Sequence, residues 1–305
     1  MRISGGMMAD IIPIDSRRTP LHRRSVTLQL VGRVAEDTGM MPFLGSTSDG
    51  KDYWCKRVNS NHEREAVVNE VAASIIGQRI NANVREWKIV TVPDWMKGHP
   101  VGTGHNRYRL DGRPLFGSLD LHTAVVKRPE NVVPHVSDDS NDSHVPKLIA
   151  LWLLCNVEED FQVLVDQANQ NTLWSIDHGF WFDSWGPPWK FSELDSPGGK
   201  HPLPRVREAI SPHHWANAID SLDTLDSTLQ DEIYSLIPPE WQVEESEIEK
   251  LSRYVLSRVD YTKSELRRLQ ETERRRWDNE IRLLANFCHP RTYEHYTAGF
   301  WAHCR

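Results

Sequence analysis

Long apolar runs are missing from this sequence: no segment approaches the ~18 to 20 consecutive apolar residues that a bilayer-spanning helix needs. That excludes a helical membrane protein. The opening stretch MRISGGMMADIIPID also lacks the continuous apolar core of a secretory signal. Cysteine is scarce, with four in 305 residues, at positions 55, 155, 288 and 304. None stands in a CxxC pair and no short disulfide framework is present, which points to a reducing compartment and a cytoplasmic location. An excess of Lys and Arg is missing too. The formal charge is -7, which argues against nucleic acid as the main partner. Internal repeats are absent.

What is present is the composition of a globular chain, 39% hydrophobic and 26% charged, long enough for one large domain or two ordinary ones. Residues 1–24, with Arg17, Arg18, Arg23 and Arg24, read as a mobile basic arm. A strand-rich block follows. Val26 to Val31 is β-like, Gly45 to Lys51 is a turn cluster, and Asp52 to Val58 alternates as a strand. Ser60-Asn61-His62-Glu63 has the form of a capping box. Behind it Val67, Val71, Ile75 and Val68, Ala72, Ile76 repeat at helical spacing to about Ile80.

Lys88 to Val92 is a further strand, expected to lead into a hinge, and the glycine-rich stretch Gly98 to Gly117 reads as loop. The polar run Ser137 to Ser143 reads as a hinge or insertion. Val145 to Leu154 is a buried helix. Then Val163-Leu164-Val165 and Leu173 to Ile176 form a hairpin around a turn at Asp166 to Asn171. Helices are expected at Glu208 to Ile210, Ala216 to Leu222 and Thr228 to Leu236, with one long run from Glu244 to about Phe287.

The chemistry concentrates at TLWSIDHG, residues 172–179, where a strand runs into Asp177. Taken alone, the aspartate starts a turn and Gly179 supplies a positive φ. Its neighbours in chain order change that reading. Lys56 on a strand, Glu70 on the next helix and Asp177 at a hairpin end form the ordered set that phosphoryl transfer from ATP requires. A lysine meets the phosphates, a glutamate holds the lysine, and an aspartate binds magnesium, with His178 read as support for the turn. The polar loop before the hairpin, with Glu158, Glu159, Asp160 and Gln162, stands where a base and a second metal ligand belong.

The stretches SDGKDYWCK, VVNEVAASIIG, FGSLDLHTAV, LIALWLLCN and VLVDQANQNTLWSIDHGFWF, with IPPEW later, resemble a HipA-like kinase domain, a bacterial branch of the protein-kinase-like fold, over roughly residues 26–270. The last is also similar to the lipid-kinase pattern ending IDHG. The resemblance implies an α+β, two-lobed fold: a β-rich N-lobe with one helix over 25–97, a mainly helical C-lobe over 98–270 with ATP at the junction, and a helical tail over 271–305. It makes Lys56 the phosphate lysine, Glu70 its partner and Asp177 the principal Mg2+ ligand, with Gln162 as the second. Ser46, Thr47 and Ser48 are expected beside the nucleotide, Glu158 or Asp160 takes the catalytic-loop role, and Asn156 opens that loop. The substrate implied is a Ser or Thr hydroxyl of a protein.

The sequence departs from the family at Asn156-Val157-Glu158-Glu159, where the pattern has Asn-Gly-Asp-Arg, and Gln162 replaces asparagine. A pseudokinase acting as a nucleotide-binding or protein-interaction regulator is therefore the alternative. Two other chemistries are weaker. A metal hydrolase built on Asp177, His178 and His144 or His122 lacks ligand spacing, and Cys55 and Cys155 sit in apolar runs as core residues. The tryptophans at 181, 185 and 189 occupy the place of an activation segment.

Overall fold

A computed structural model describes residues 25–35, 40–58, 64–103, 106–127, 132–157, 162–183, 189 and 203–287, with backbone alone from 276 onward. The basic arm, the capping box at 60–63, Glu158 to Asp160, Trp185 and the end of the tail lie outside the described residues.

The chain begins with β1 (Ser25–Val34), β2 (Phe43–Thr47), β3 (Asp52–Lys56), α1 (Glu65–Arg79) and β4 (Trp87–Thr91). A small hairpin, β5 (Pro100–Thr103) and β6 (Asn106–Arg109), is followed by β7 (Leu115–Leu119). Five strands close a barrel in the order β1-β2-β3-β7-β4, with the parallel pairing of β1 and β4 making the closure. Strand alternation explains its interior. On β3, Tyr53 and Cys55 are buried inside with Leu28, Phe43 and Val90, while Asp52, Trp54 and Lys56 face outward. Burial pushes the Cys55 thiol far up, which removes it from nucleophilic chemistry.

The stretch expected to be a loop, Gly98 to Gly117, holds strands instead. Leu115 to Leu119 pairs with both β3 and β4, so the barrel extends past residue 97 and the crossing to the rest of the chain follows Leu119. Gly117 permits this packing, since a Cβ there would lie 2.7 Å from Val90 and 3.1 Å from Tyr53.

Helix α1 is buried on every side from Glu65 to Gly77. Its two apolar rows have two partners: the helix lies between the barrel and the helices that follow, so no solvent face remains. Val84, in the connection to β4, packs against Gly77, where a Cβ would come within 2.4 Å of a Val84 methyl. Val84 in turn bridges to Ser175. Gly77→Val is therefore expected to cost about 1–3 kcal/mol by overpacking, read as a lower urea midpoint with an unchanged slope.

Next come β8 (Ala124–Lys127), α2 (Asn141–Cys155), β9 (Val163–Asp166) and β10 (Thr172–Ser175), the three strands forming a sheet in the order β10-β9-β8. Helices α3 (Pro212–Ser221), α4 (Thr228–Leu236), α5 (Glu245–Ser257) and α6 (Val259–Phe287) complete the fold around α2. The α+β class and the expected hairpin are both observed.

Three expectations change. The polar run Ser137 to Ser143 is no insertion: Asn141, fully buried, donates to the His135 and Asn171 carbonyls and accepts from Leu173 N–H, tying the start of α2 to the hairpin. Glu208 to Ile210 is irregular rather than helical. The long helix from Glu244 is two helices, parted at Arg258, a buried side chain whose Nε donates to the Leu153 carbonyl at 2.9 Å. No helix among the described residues is long and apolar enough to cross a membrane.

Candidate active site

Lys56, Glu70 and Asp177 come from three elements and meet at one point. Lys56 leaves the outer face at the end of β3, and its Nζ donates to Glu70 Oε1 and, at 2.6 Å, to Asp177 Oδ1. The two carboxylates differ in setting. The Glu70 side chain is 3% exposed and that of Asp177 is 35% exposed, so Asp177 alone keeps a face toward solvent.

Burial by itself would lower the Lys56 pKa, but the Asp177 and Glu70 charges more than offset it and hold the ammonium well above its ordinary range. Burial likewise opposes the Glu70 charge, and Lys56 with His178 reverses that, bringing the carboxyl down to about 2. The sign of the linkage follows. Glu70 titrates lower in the fold than in the open chain, so its contribution is complete above about pH 4.5 and is lost as pH falls toward 2. Wild type is expected to lose on the order of 3 kcal/mol through that window, whereas Glu70→Gln, already weaker at neutral pH, shows a shallower acid slope in denaturant melts.

The turn after β10 differs from expectation. The positive φ belongs to Asp177, at 61°, while Gly179 is not in the left-handed region. Aspartate tolerates that conformation better than most residues. Its consequence is to turn His178 inward. The His178 N–H donates to Glu70 Oε1 at 3.1 Å, its Nδ1 lies 3.2 Å from Glu70 Oε2, and its Nε2 is 2.9 Å from Ser175 Oγ. The ring stacks edge-on against Trp181. His178 thus holds the glutamate that holds the lysine, a larger role than supporting a turn.

Asn69, beside Glu70 on α1, donates to the carbonyls of Gly179 (2.8 Å) and Trp181 (3.0 Å) and accepts from Trp189 Nε1. The matched stretch VVNEVAASIIG contains Asn69 beside Glu70, but the resemblance gave Asn69 no role of its own. Its signal was a polar pair, Asn69-Glu70, inside a helix apolar on both other faces.

Gln162 stands one residue before β9, and the pairing of Val163 with Ser175 puts it at the same end of the hairpin as Asp177. Asn156 is placed differently. Buried in a left-handed conformation, it donates to the Tyr254 hydroxyl at 2.7 Å, which anchors the start of the loop to α5. Glu158 and Asp160 lie outside the described residues.

Ser46, Thr47 and Ser48 are not beside Lys56. Phe43 pairs with Cys55 and Ser46 with Asp52, so the Thr47 to Lys51 turn is at the opposite end of β3, roughly 10 Å or more from Lys56 at ~3.3 Å per residue. Their hydroxyls are used locally: Ser46 donates to Asp52, Thr47 donates to Asp49, and Ser48 accepts from Thr27 N–H. The facing ends of β1 and β2, Val34 and Phe43, are instead the ones at the Lys56 end, because Val34 and Cys55 both pair with Phe43.

Among the described residues no group of three or more His, Cys, Asp or Glu side chains is gathered to hold a metal ion. His122 pairs with Asp120 at the surface, and His178 is committed to Glu70 and Ser175. Burial raises the Cys155 thiol as it does that of Cys55.

No family model and no curated protein matches the chain. Among solved structures it is similar to a Helicobacter pylori proinflammatory kinase, CtkA, at 11% identity and a TM-score of 0.48, over 80% of this chain and 98% of that one. It is also similar to the Golgi casein kinase, solved with Mn/ADP bound, at 11% identity and a TM-score of 0.41, over 79% and 72% of the two chains.

Proposed function

We propose that this chain is an ATP-dependent phosphotransferase of the HipA-like kinase type, working in the cytoplasm on a Ser or Thr hydroxyl of a protein. One observation carries the reading: Lys56 Nζ is bound by a buried glutamate and by a partly exposed aspartate 121 positions later in the chain. An ion trio that served stability alone would not need one member turned to solvent.

The roles follow from the setting of each group. Glu70, kept ionised and aimed by His178, keeps Lys56 charged and in one position to meet phosphate oxygens. Asp177 and Gln162, at one hairpin end, fit a magnesium ion, which typically takes only one or two protein oxygens and completes its shell with phosphates and water. Held there, the ion would supply positive charge to the phosphates. Glu158 or Asp160 would accept the proton of the attacking hydroxyl.

A second reading, a pseudokinase that binds nucleotide or a protein partner, has its own support in Glu158 and Glu159, where the family pattern has Asp and Arg. The extra methylene of glutamate moves its carboxylate by about 1.5 Å, and misplacement of that size costs ~100-fold in a tight site. Thermal-shift titration with ATP and magnesium, followed by radiolabel transfer on the same samples, separates the two. Stabilisation with label on protein supports the kinase; stabilisation without label supports the pseudokinase. Absence of both signals removes both nucleotide readings.

A further inference from the structure

Asn69 and Glu70 are neighbours on α1, and one residue turns a helix by about 100°. Their side chains therefore leave on adjoining faces, Glu70 toward Lys56 and His178, Asn69 toward the chain that follows Asp177. Between them they hold that chain by its backbone. Glu70 accepts from the His178 N–H at 3.1 Å, and the Asn69 amide donates to the carbonyls of Gly179 and Trp181 at 2.8 and 3.0 Å. The Phe182 N–H then donates to the Cys155 carbonyl at 2.7 Å, tying the far end of the stretch to α2. So the backbone is held at 178, 179, 181 and 182, directly after an aspartate whose own φ is 61°.

Asn69 is 0% exposed, and both ends of its amide are engaged. Two carbonyls take its N–H groups and the Trp189 indole N–H, at 2.8 Å, takes its oxygen, so one orientation of the amide satisfies all three. Gly179 and Trp181 are buried, and their carbonyls need a donor of some kind. That need does not by itself call for a donor on the helix of Glu70. The choice of helix matters because Lys56 Nζ joins Glu70 to Asp177, so a shift of the Asp177 turn against α1 opens the 2.6 Å contact between Lys56 and Asp177. We propose that Asn69 is a positioning residue for the proposed phosphotransfer, on which this inference rests. It fixes the chain after Asp177 to the helix of Glu70 and so aims the Asp177 carboxylate at the metal, while Trp189 sets which way the amide faces.

Losing a group that orients a metal ligand typically costs about 10–100-fold in metal affinity. Asn69→Ala is expected to raise the magnesium concentration that half-saturates ATP stabilisation by about tenfold, and to lower kcat for label transfer from ATP to casein by a similar factor. KM for ATP should stay within about twofold. Trp189→Phe, at a partly buried position, keeps a ring and removes the donor, and should move the same two quantities severalfold. The double variant should be no worse than Asn69→Ala, since Trp189 acts through the amide. Melting points without nucleotide are read on every variant. A lower melting point with the magnesium midpoint unmoved marks a residue that serves stability alone and overturns the proposal, as does additive loss in the double variant. If Asn69→Ala does not fold, an unmoved midpoint in Trp189→Phe overturns it instead. Wild type that shows neither magnesium-dependent stabilisation nor label is a different failure, one that removes the phosphotransfer reading and this proposal with it.

Discussion

Under the proposed phosphotransfer, Asp177→Asn is expected to abolish the magnesium-dependent part of ATP stabilisation and to lower transfer by ~10³-fold or more, about 4 kcal/mol of barrier. The fold should hardly notice. Asparagine is at ease with a φ of 61° and its amide oxygen still accepts from Lys56, so the change in unfolding free energy should stay within about 1 kcal/mol. What asparagine cannot supply is the negative charge that the proposed metal ligand needs. Radiolabel transfer and denaturant melts on the same protein separate the two effects, and transfer that persists in the variant would remove Asp177 from the metal-binding role.

Lys56→Met has the opposite profile, because here the fold itself is at stake. The substitution leaves Glu70 buried without its cation, and breaking a buried pair on one side costs about 3–5 kcal/mol. For a chain of this size that corresponds to a melting point lower by roughly 6–20 °C. Replacing both partners with apolar residues, Lys56→Met with Glu70→Leu, is expected to recover much of the loss, since an apolar pair needs no desolvation of charge. Recovery is incomplete because the His178 N–H then loses its acceptor. Transfer activity stays absent in both variants. If the single variant melts as wild type does, Glu70 is not dependent on Lys56 and the account of the trio fails.

These two outcomes separate the parts of one site that were differently legible. Lys56, Glu70 and Asp177, which the structure brings together, were singled out in the sequence because each sits at a position that local pattern defines: an alternating strand, a helical repeat and a hairpin end. The residues that hold them in place were not found. His178 was read as support for a turn, and its contacts with Glu70 and Ser175 depend on a backbone angle at Asp177 that glycine two residues later was expected to absorb. Asn69 stood beside Glu70 in the matched stretch without a role, because its partners lie more than a hundred residues away. The serine-rich turn was misplaced for a related reason: nearness in sequence to Lys56 suggested nearness in space, whereas an antiparallel register sends that turn to the far end of the strand.

The same division runs through the fold. Periods of two and 3.6, with turn residues between them, are local properties, so β3, α1, α2 and the β9–β10 hairpin were determined by the sequence alone. Barrel closure was not, since β1 meets β4 across some sixty residues and β7 pairs with both β3 and β4. Nor was the docking of Ser137 to Ser143, a run polar enough to read as an insertion until Asn141 is seen buried against the hairpin. Side-chain pairing between distant elements depends on how their surfaces pack, and packing is a property of the assembled chain. The charges were chosen by the sequence; only the tertiary structure brought a lysine and an aspartate 121 residues apart to within 2.6 Å.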